Sequence, residues 1–195
     1  MTSAAIRTGS TGESDTGGED VVLELVRGDG IGLEVRDAQF GVPVRAVQAR
    51  AVDAQGGVGF AGGVMLDGDG RGQIPSLCPG SYVLTLYAAG YAPAIVAATS
   101  PSPHVLVGVS PGGTLEIHAG PKSLATGTAH GQILTVSGQP YPFSPFAADG
   151  QFAISTPLRR FENLGAGSYL LQMQGSTSPQ AFEIAAGALA VVTLP

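Results

Sequence analysis

The chain has 195 residues, of which 44% are hydrophobic and 12% charged, and its formal net charge is −6. This length fits one medium-sized domain or two small ones. The acidic balance excludes a basic nucleic-acid surface, the single cysteine excludes an intramolecular disulfide and any multi-cysteine metal site, and no apolar run is long enough for a membrane-spanning helix. Thirty glycines and 14 prolines indicate many short strands and turns.

Residues 1–20 are rich in Gly, Ser, Thr and acidic side chains. They cannot bury enough apolar area to offset the entropy of ordering. They also lack the basic and apolar regions of a signal peptide. We therefore predict a flexible leader or linker here, with no signal peptide.

The stretch 26–35, VRGDGIGLEV, resembles the glycine loop of isocitrate-type dehydrogenases and contains the tripeptide Arg27-Gly28-Asp29. A nucleotide loop has to lead into a helix whose first amides face the ligand. Gly41 and Pro43 follow too soon for a useful helix, and the intervening residues alternate. We predict a strand–turn–strand hairpin here, and neither a nucleotide site nor an adhesive tip.

An internal repeat organises the rest of the chain. The phrase L-x-x-G-S-Y-x-L-x-[LM] occurs at 77–86 and again 87 residues later, at 164–173. A turn and a short strand precede each copy, at 69–74 and 149–154, and the second copy has extra residues around 157–161 that we place in a loop. The strand–bend–strand phrase of 22–35 recurs at 105–117, and its first half recurs at 189–194. These repeats predict one domain over 21–110 and a divergent second domain over 111–195.

Alternating side chains indicate half-buried strands. Three sets of residues are each predicted to share an inward face: Val47, Ala49 and Ala51; Tyr82, Leu84 and Leu86; and Tyr169, Leu171 and Met173. For Ile184–Leu189 the repeat favours a turn and a strand over a helix. The fold class is therefore all-β, as two tandem antiparallel β-sandwiches.

The first repeat resembles a known family. The phrase V-R-D-A-Q-F-G-V-P-V-R-A-V at 35–47, the phrase at 67–84 and Gly90-Tyr91 are similar to motifs of carboxypeptidase regulatory-like domains. The match covers 31–98, whereas the second repeat lacks the G-x-P-V opening and the G-Y pair. The resemblance implies a seven-stranded transthyretin-like, or Ig-like, sandwich appended to a secreted or envelope bacterial protein. It implies no catalytic residues, and the H-x-x-E zinc motif of the peptidase is absent from the sequence.

Candidate metal and nucleophile residues do not form a recognisable pattern. His104, His118 and His130 are spaced unlike a compact ligand set, and no nucleophile elbow occurs. Asp67 and Asp69 begin like a calcium loop, but Arg71 and Cys78 stand where ligands are required. A tight turn explains them better, while a looser calcium site stays open.

Cys78 has no basic neighbour in sequence that would activate a thiolate. Arg159-Arg160 is interpreted as a solvated pair in a loop. We predict no catalytic, cofactor-binding or metal-binding residues and no cofactor.

Three aromatic residues between prolines form the remaining candidate site: Tyr141, Phe143 and Phe146. Proline removes ladder donors, so 139–146 cannot be a central strand. The rings could form a stiff contact surface for a partner or a sugar. The alternative, which we favour, is that they cap the core of the second domain.

The sequence therefore predicts a non-enzymatic pair of structural or interaction modules within a larger extracytoplasmic bacterial protein, in the periplasm, on the cell surface or secreted. The expected partners are neighbouring domains of a parent chain or a protein partner, without nucleic acid or a transmembrane segment, and the isolated chain is expected to be a monomer. The alternative function is a carbohydrate-binding module of the same general architecture.

Overall fold

A computed structural model describes residues 3–8, 21–26, 29–125, 127–146 and 149–195. All regular secondary structure in these ranges is β-strand, which confirms the all-β prediction. The described ranges contain no helix with the length and apolar character needed to cross a bilayer.

Within the described ranges, sixteen strands form one hairpin and two sandwiches of seven strands each. The hairpin consists of β1 (Ser3–Thr8) and β2 (Val21–Val26). The first sandwich consists of β3 (Ile31–Asp37), β4 (Ala46–Asp53), β5 (Val58–Met65), β6 (Arg71–Ile74), β7 (Gly80–Tyr87), β8 (Ala94–Ser100) and β9 (Ser102–Val109). The second consists of β10 (Gly113–Ala119), β11 (Ala129–Thr135), β12 (Gln151–Ile154), β13 (Leu158–Leu164), β14 (Gly167–Met173), β15 (Gln180–Ile184) and β16 (Leu189–Leu194).

The N-terminal hairpin differs from the sequence prediction. Strand β1 lies within the segment predicted to be a flexible leader and pairs antiparallel with β2, from Ser3 opposite Val26 to Thr8 opposite Val21. Composition alone did not indicate that a strand partner exists for these residues. Strand β2, which we assigned to the first domain, pairs with β1 and not with the first sandwich. Residues 9–20 lie outside the described residues.

The two sandwiches share one topology. In the first, a four-stranded sheet of order β5-β4-β7-β8 packs on a three-stranded sheet of order β6-β3-β9. In the second, the sheets have the orders β12-β11-β14-β15 and β13-β10-β16. Position for position in the chain, each strand of the second sandwich corresponds to a strand of the first. The repeat found in the sequence is therefore a repeat of topology.

One strand pair in each sandwich is parallel. The first and last strands, β3 with β9 and β10 with β16, lie side by side and run in the same direction. All other pairs within the sandwiches are antiparallel. Each sandwich thus has an upper end, where its first strand begins, and a lower end, where its first and last strands both finish.

Alternating burial produces one hydrophobic core in each sandwich. The three inward sets predicted from the sequence are buried except for Met173, which packs against the second core while remaining partly exposed. The first core is built from residues 31–109 and the second from residues 115–194. Leu33 and Leu115 lie at corresponding positions of β3 and β10 and are both buried. Each core therefore depends on the side chains of one repeat.

The L-x-x-G-S-Y phrase has the same geometry in both sandwiches. Gly80 and Gly167 have φ angles of 155° and 156°, which L side chains rarely adopt. The Tyr82 hydroxyl donates to the Cys78 carbonyl at 3.1 Å, and the Tyr169 hydroxyl donates to the Gly165 carbonyl at 2.8 Å. The phrase recurs because it builds one specific turn at the upper end of each sandwich.

The prediction that the two strands around 26–35 pair as a hairpin is wrong, although a bend does join two strands there. Strands β2 and β3 belong to different sheets, since β2 pairs with β1 while β3 pairs with β6 and β9. The corresponding bend, at 110–112, likewise joins β9 of the first sandwich to β10 of the second. Local turn chemistry indicates a reversal or bend, but it does not specify the partner strand. Arg27 and Gly28 lie outside the described residues.

The alignment of 69–74 with 149–154 is also wrong. Residues 71–74 form β6 in a three-stranded sheet, whereas 151–154 form β12 in a four-stranded sheet. The supposed insertion at 157–161 falls largely in β13, which takes the sheet position of β6. Phe161 and Leu164 point into the second core from this strand. Both Asp-Gly turns lead into a strand, and that shared local feature produced the misalignment.

Candidate functional site

The junction between the two sandwiches is held by the backbone. The Ala92 amide donates to the Ser110 carbonyl at 2.9 Å, and the Gly112 amide donates to the Gly90 carbonyl at 3.1 Å. Between these bonds, Tyr91 and Pro111 form an isolated antiparallel bridge. The connecting segment is therefore paired with the loop after β7 and does not act as a free linker.

Gly112 permits a close approach at this junction. A Cβ at this position would overlap the Cα of Asn163 and lie 3.2 Å from the Ala92 nitrogen. Asn163 has a φ of 65°, and its counterpart Ser76, at the same place before the L-x-x-G-S-Y phrase, has a φ of 59°. The unusual backbone at Asn163 belongs to the repeated turn, and the second sandwich uses that turn to contact the first.

Tyr141 is a core residue and not a surface contact. Its side chain is buried, and its hydroxyl donates to the Asn163 carbonyl at 3.0 Å and accepts from the Gly165 amide at 2.9 Å. Burial raises the pKa of this phenol well above its ordinary value. Tyr141 packs edge-to-face on Tyr169 and Phe143, with ring centroids 5.5 and 5.4 Å apart. A ring held in this way cannot serve as a platform for a sugar.

The other two predicted aromatic residues differ from each other. Phe143 is half-buried, stacks on Phe161 with centroids 5.2 Å apart, and packs against the second core. The Phe146 side chain is 75% exposed and is the member of this set that is available to a partner. The packing of Tyr141 and Phe143 fits the favoured interpretation that these rings cap the core of the second domain, whereas Phe146 is exposed.

A cleft separates Phe143 from the first sandwich. It has a volume of about 460 Å³ and is lined by Gln48, Met65, Tyr87 and Phe143, among others. Burial raises the pKa of Tyr87 to about 12. The Tyr87 hydroxyl is buried and has no hydrogen-bond partner among the described residues. The junction thus places a partly buried tyrosine of the first sandwich beside Tyr141 and Phe143 of the second.

Tyr91 and Asp37 close the lower end of the first sandwich. The Tyr91 hydroxyl lies beside the Asp37 carboxylate, and that carboxylate accepts from the Phe40 and Gln39 amides, both at 2.8 Å. The amide bonds, led by the one from Phe40, and the Tyr91 hydroxyl lower the pKa of Asp37. Because Asp37 ends β3 and Tyr91 follows β7, their contact joins the two sheets.

Sequence reasoning missed a repeated ion pair on the three-stranded sheets. Glu34 on β3 is opposite Arg71 on β6, with Oε2 and Nε 3.0 Å apart, and it also binds Arg36 Nε at 2.6 Å. Hydrogen bonds, first from Arg36 and then from Arg71, lower the pKa of Glu34. Glu116 is likewise opposite Arg160, 3.9 Å away. The 82-residue spacing of Glu34 and Glu116 could have revealed this pair.

The structure does not bring the remaining candidates together. His104, His118 and His130 are all exposed, and the first two lie 3.9 and 3.5 Å from Glu34 and Glu116 respectively. The Asp67 carboxylate accepts from the Asp69 and Arg71 amides at 2.9 and 2.8 Å, which is the geometry of a turn. Within the described residues, no three His, Cys, Asp or Glu side chains are grouped so as to hold a metal ion.

Arg159 and Arg160 do not lie in a loop, as predicted, but on β13. The guanidinium of Arg159 lies 5.4 Å from the centroid of the Phe161 ring, and Arg160 pairs with Glu162 at 3.3 Å. These contacts are intramolecular. Cys78 is a half-buried free thiol in the turn before β7.

The repeated topology and the paired junction define a tandem β-sandwich protein. No family model and no curated protein matches the chain. Among solved structures it is similar to a minor pilin of Streptococcus agalactiae, with 11% identity, coverage of 85% of this chain and 94% of that chain, and a TM-score of 0.38. It is also similar to a streptococcal ancillary pilin, with 18% identity, coverage of 86% and 62%, and a TM-score of 0.37.

A fimbrial anchor protein of Porphyromonas gingivalis is similar as well, with 11% identity, coverage of 80% of this chain and 82% of that chain, and a TM-score of 0.36. Likeness at this level concerns strand arrangement and does not assign a function.

Proposed function

We propose that the chain is a non-enzymatic structural element in which two carboxypeptidase regulatory-like sandwiches hold neighbouring domains or protein partners at a fixed separation and orientation. The observation that carries the proposal is the junction, where the segment 110–112 pairs with the loop 90–92 through two backbone hydrogen bonds. A flexible linker would leave these groups to water. The resemblance at 31–98 supports placing this element in an extracytoplasmic bacterial protein.

Side-chain packing at the junction supports the same conclusion. Ala92 is buried, and Tyr87, Tyr91, Tyr141 and Phe143 line one small cavity between the sandwiches. Apolar area removed from water here favours one relative orientation over an ensemble. The burial of Tyr141, the central ring of the aromatic set, argues against the sugar-binding alternative.

A distance measurement tests the proposal. Spin labels are placed at Ser81 and Ser168, exposed equivalents on β7 and β14, in a background where Cys78 is replaced by Ser. Double electron–electron resonance should give one narrow distance distribution. Gly112→Ala should broaden or shift it, because the new Cβ overlaps Asn163. Gly68→Ala is the matched control, since no atom lies within 4 Å of the Cβ position there.

A broad distribution in the parent protein would show that the sandwiches reorient freely, and the spacer proposal would then fail. The same distribution in the parent and in Gly112→Ala would show that the close approach does not fix the orientation.

A further inference from the structure

The lower ends of the two sandwiches correspond residue by residue. Asp37 and Ala119 end the first strand of each sandwich, opposite Val109 and Leu194 of the last strand. The turns after β7 and β14 also correspond: Gly90 and Gly175 have φ angles of 83° and 82°, and the residues that follow them, Tyr91 and Ser176, donate their amides to the Ala88 and Met173 carbonyls, both at 3.1 Å. The comparison shows how each end is sealed.

In the first sandwich, Tyr91 seals the lower end. Its ring packs against the first core, and its hydroxyl lies beside Asp37 of the opposite sheet. Burial raises the pKa of this phenol, with the neighbouring Asp37 carboxylate as a further cause. Val47 and Ala88 beside it are buried. A phenol ring thus spans the space between the two sheets.

The second sandwich has lost this seal. Ser176 stands in place of Tyr91, and Ala119 stands in place of Asp37. By strand register, Ala129 takes the place of Val47, because Gly131 is opposite Met173 as Ala49 is opposite Leu86. Each of these replacements removes side-chain volume. The end of the sandwich is therefore open where the first sandwich is filled.

A cavity of about 550 Å³ occupies this end. Leu171 and Met173 from the four-stranded sheet and Leu194 from the three-stranded sheet provide its apolar wall. This volume and this mixture of an apolar wall with a few polar groups are typical of sites for small ligands. The cavity lies between the sheets, in the space that Tyr91 fills in the first sandwich.

The rim of the cavity is polar. Lys122, His130, Gln174, Ser176 and Gln180 line it, together with Pro195. Lys122 is the sole lysine of a chain whose net charge is −6. Ammonium, amide and hydroxyl donors at the rim suit an oxygen acceptor on a ring whose face contacts the apolar wall.

We propose that this cavity is a binding site for a phenolic ring, the group that the first sandwich supplies from its own Tyr91. The ring contacts Leu171, Met173 and Leu194, and its oxygen is bound at the rim. The ring comes either from a tyrosine of another polypeptide or from a free phenolic molecule. The site is separate from the junction on which the spacer function rests.

The test is a titration of the whole chain with p-cresol, the side-chain analogue of tyrosine, followed by ¹H–¹⁵N correlation spectra. Saturable shifts are expected at His130, Met173 and Gly175, with a dissociation constant on the order of 1 mM for so small a ligand. Ser176→Tyr restores the missing ring and should raise that constant at least about tenfold. It should also raise the melting temperature, because it fills a cavity.

Two further variants keep the result interpretable. Ala129→Leu fills the cavity from the opposite wall and should weaken p-cresol binding even if Ser176→Tyr does not fold. Ser137→Tyr adds a ring in an exposed turn away from the cavity and should bind p-cresol as the parent does. No saturable shifts at these residues, or equal binding by the parent and both filled variants, would overturn the proposal.

A second titration separates the two sources of the ring. A capped pentapeptide with a central tyrosine in glycines is compared with p-cresol. Tighter binding of the peptide assigns the site to a tyrosine of a polypeptide, and weaker binding assigns it to a free phenolic molecule. Because the cavity is distant from Gly112, the distance distribution of the spacer test should be unchanged in Ser176→Tyr, so either proposal can fail without the other.

Discussion

Tyrosine is the residue that organises both sandwiches, and each tyrosine has a distinct role. Tyr82 and Tyr169 direct their hydroxyls back to a carbonyl of the upper turn. Tyr91 joins two sheets, and Tyr141 fixes the turn at Asn163. Tyr87 stands apart because its buried hydroxyl has no partner among the described residues. Identical side chains therefore contribute differently to stability, according to whether the hydroxyl is paired.

This difference is measurable with one conservative change. Tyr169→Phe should lower the free energy of unfolding by about 1 kcal/mol, because it removes the hydrogen bond to Gly165 and leaves the ring in place. Tyr87→Phe, the matched control, should be neutral or stabilising, because it removes a buried hydroxyl without a protein partner. Urea denaturation monitored by circular dichroism provides both values. Equal destabilisation by the two variants would contradict the assigned roles.

At the scale of the strand, the alternation of side chains in the sequence identified the inward faces, but the sequence did not identify which strands pair. The inward faces of β4, β7 and β14 follow directly from period-two patterns, because one side of each strand is covered by a sheet. The partner of a strand depends on the other sheet of the sandwich, which local sequence does not encode. That is why the bend at 26–35 was taken for a hairpin and why β13 was taken for a loop.

The candidate site was predictable to a similar degree. Tyr141 and Phe143 attracted attention as aromatic residues between prolines, and the capping role that we favoured matches their packing on the second core. Asn163 and Gly112 carry no chemical signature, because their role comes from backbone position at a contact between sandwiches. Ser176 is informative only when it is compared with Tyr91, which requires the topological correspondence of the two repeats.

The turn before β12 gives a prediction for an element. Gly150 has a φ of 68°, and a Cβ there would lie 2.5 Å from the Ile133 oxygen and 2.9 Å from the Tyr141 nitrogen. Gly138 has a φ of 80° but has no atom within 4 Å of its Cβ position. Gly138→Ala should therefore cost about 1 kcal/mol of unfolding free energy, and Gly150→Ala about 3 kcal/mol.

Thermal or urea unfolding of the two glycine variants checks this ranking. The difference between them isolates the close approach of the turn to β11, because both residues have a left-handed backbone. If the two variants were equally stable, the turn could shift away from β11 without cost, and the tight contact would not be needed to begin β12.

For the whole molecule, two cores joined by one junction predict separable folding. Residues 21–110 and 111–195, produced separately, should each give a β-type circular dichroism spectrum and a cooperative melt. Each melting temperature should be lower than that of the matching transition in the intact chain. The reason is that Tyr87 and Ala92 in the first domain and Asn163 in the second become exposed to solvent when the domains are separated. Failure of either piece to fold would contradict the division into two domains.

The parallel pairing of the first and last strands has a mechanical consequence. Because β3 and β9 run in the same direction, the polypeptide enters a sandwich at one end and leaves it at the other, and β10 with β16 repeats the arrangement. Tension applied along the chain would pull these neighbouring strands past each other lengthwise. The rungs between them would then bear load together, in shear, and would not open one after another as in peeling.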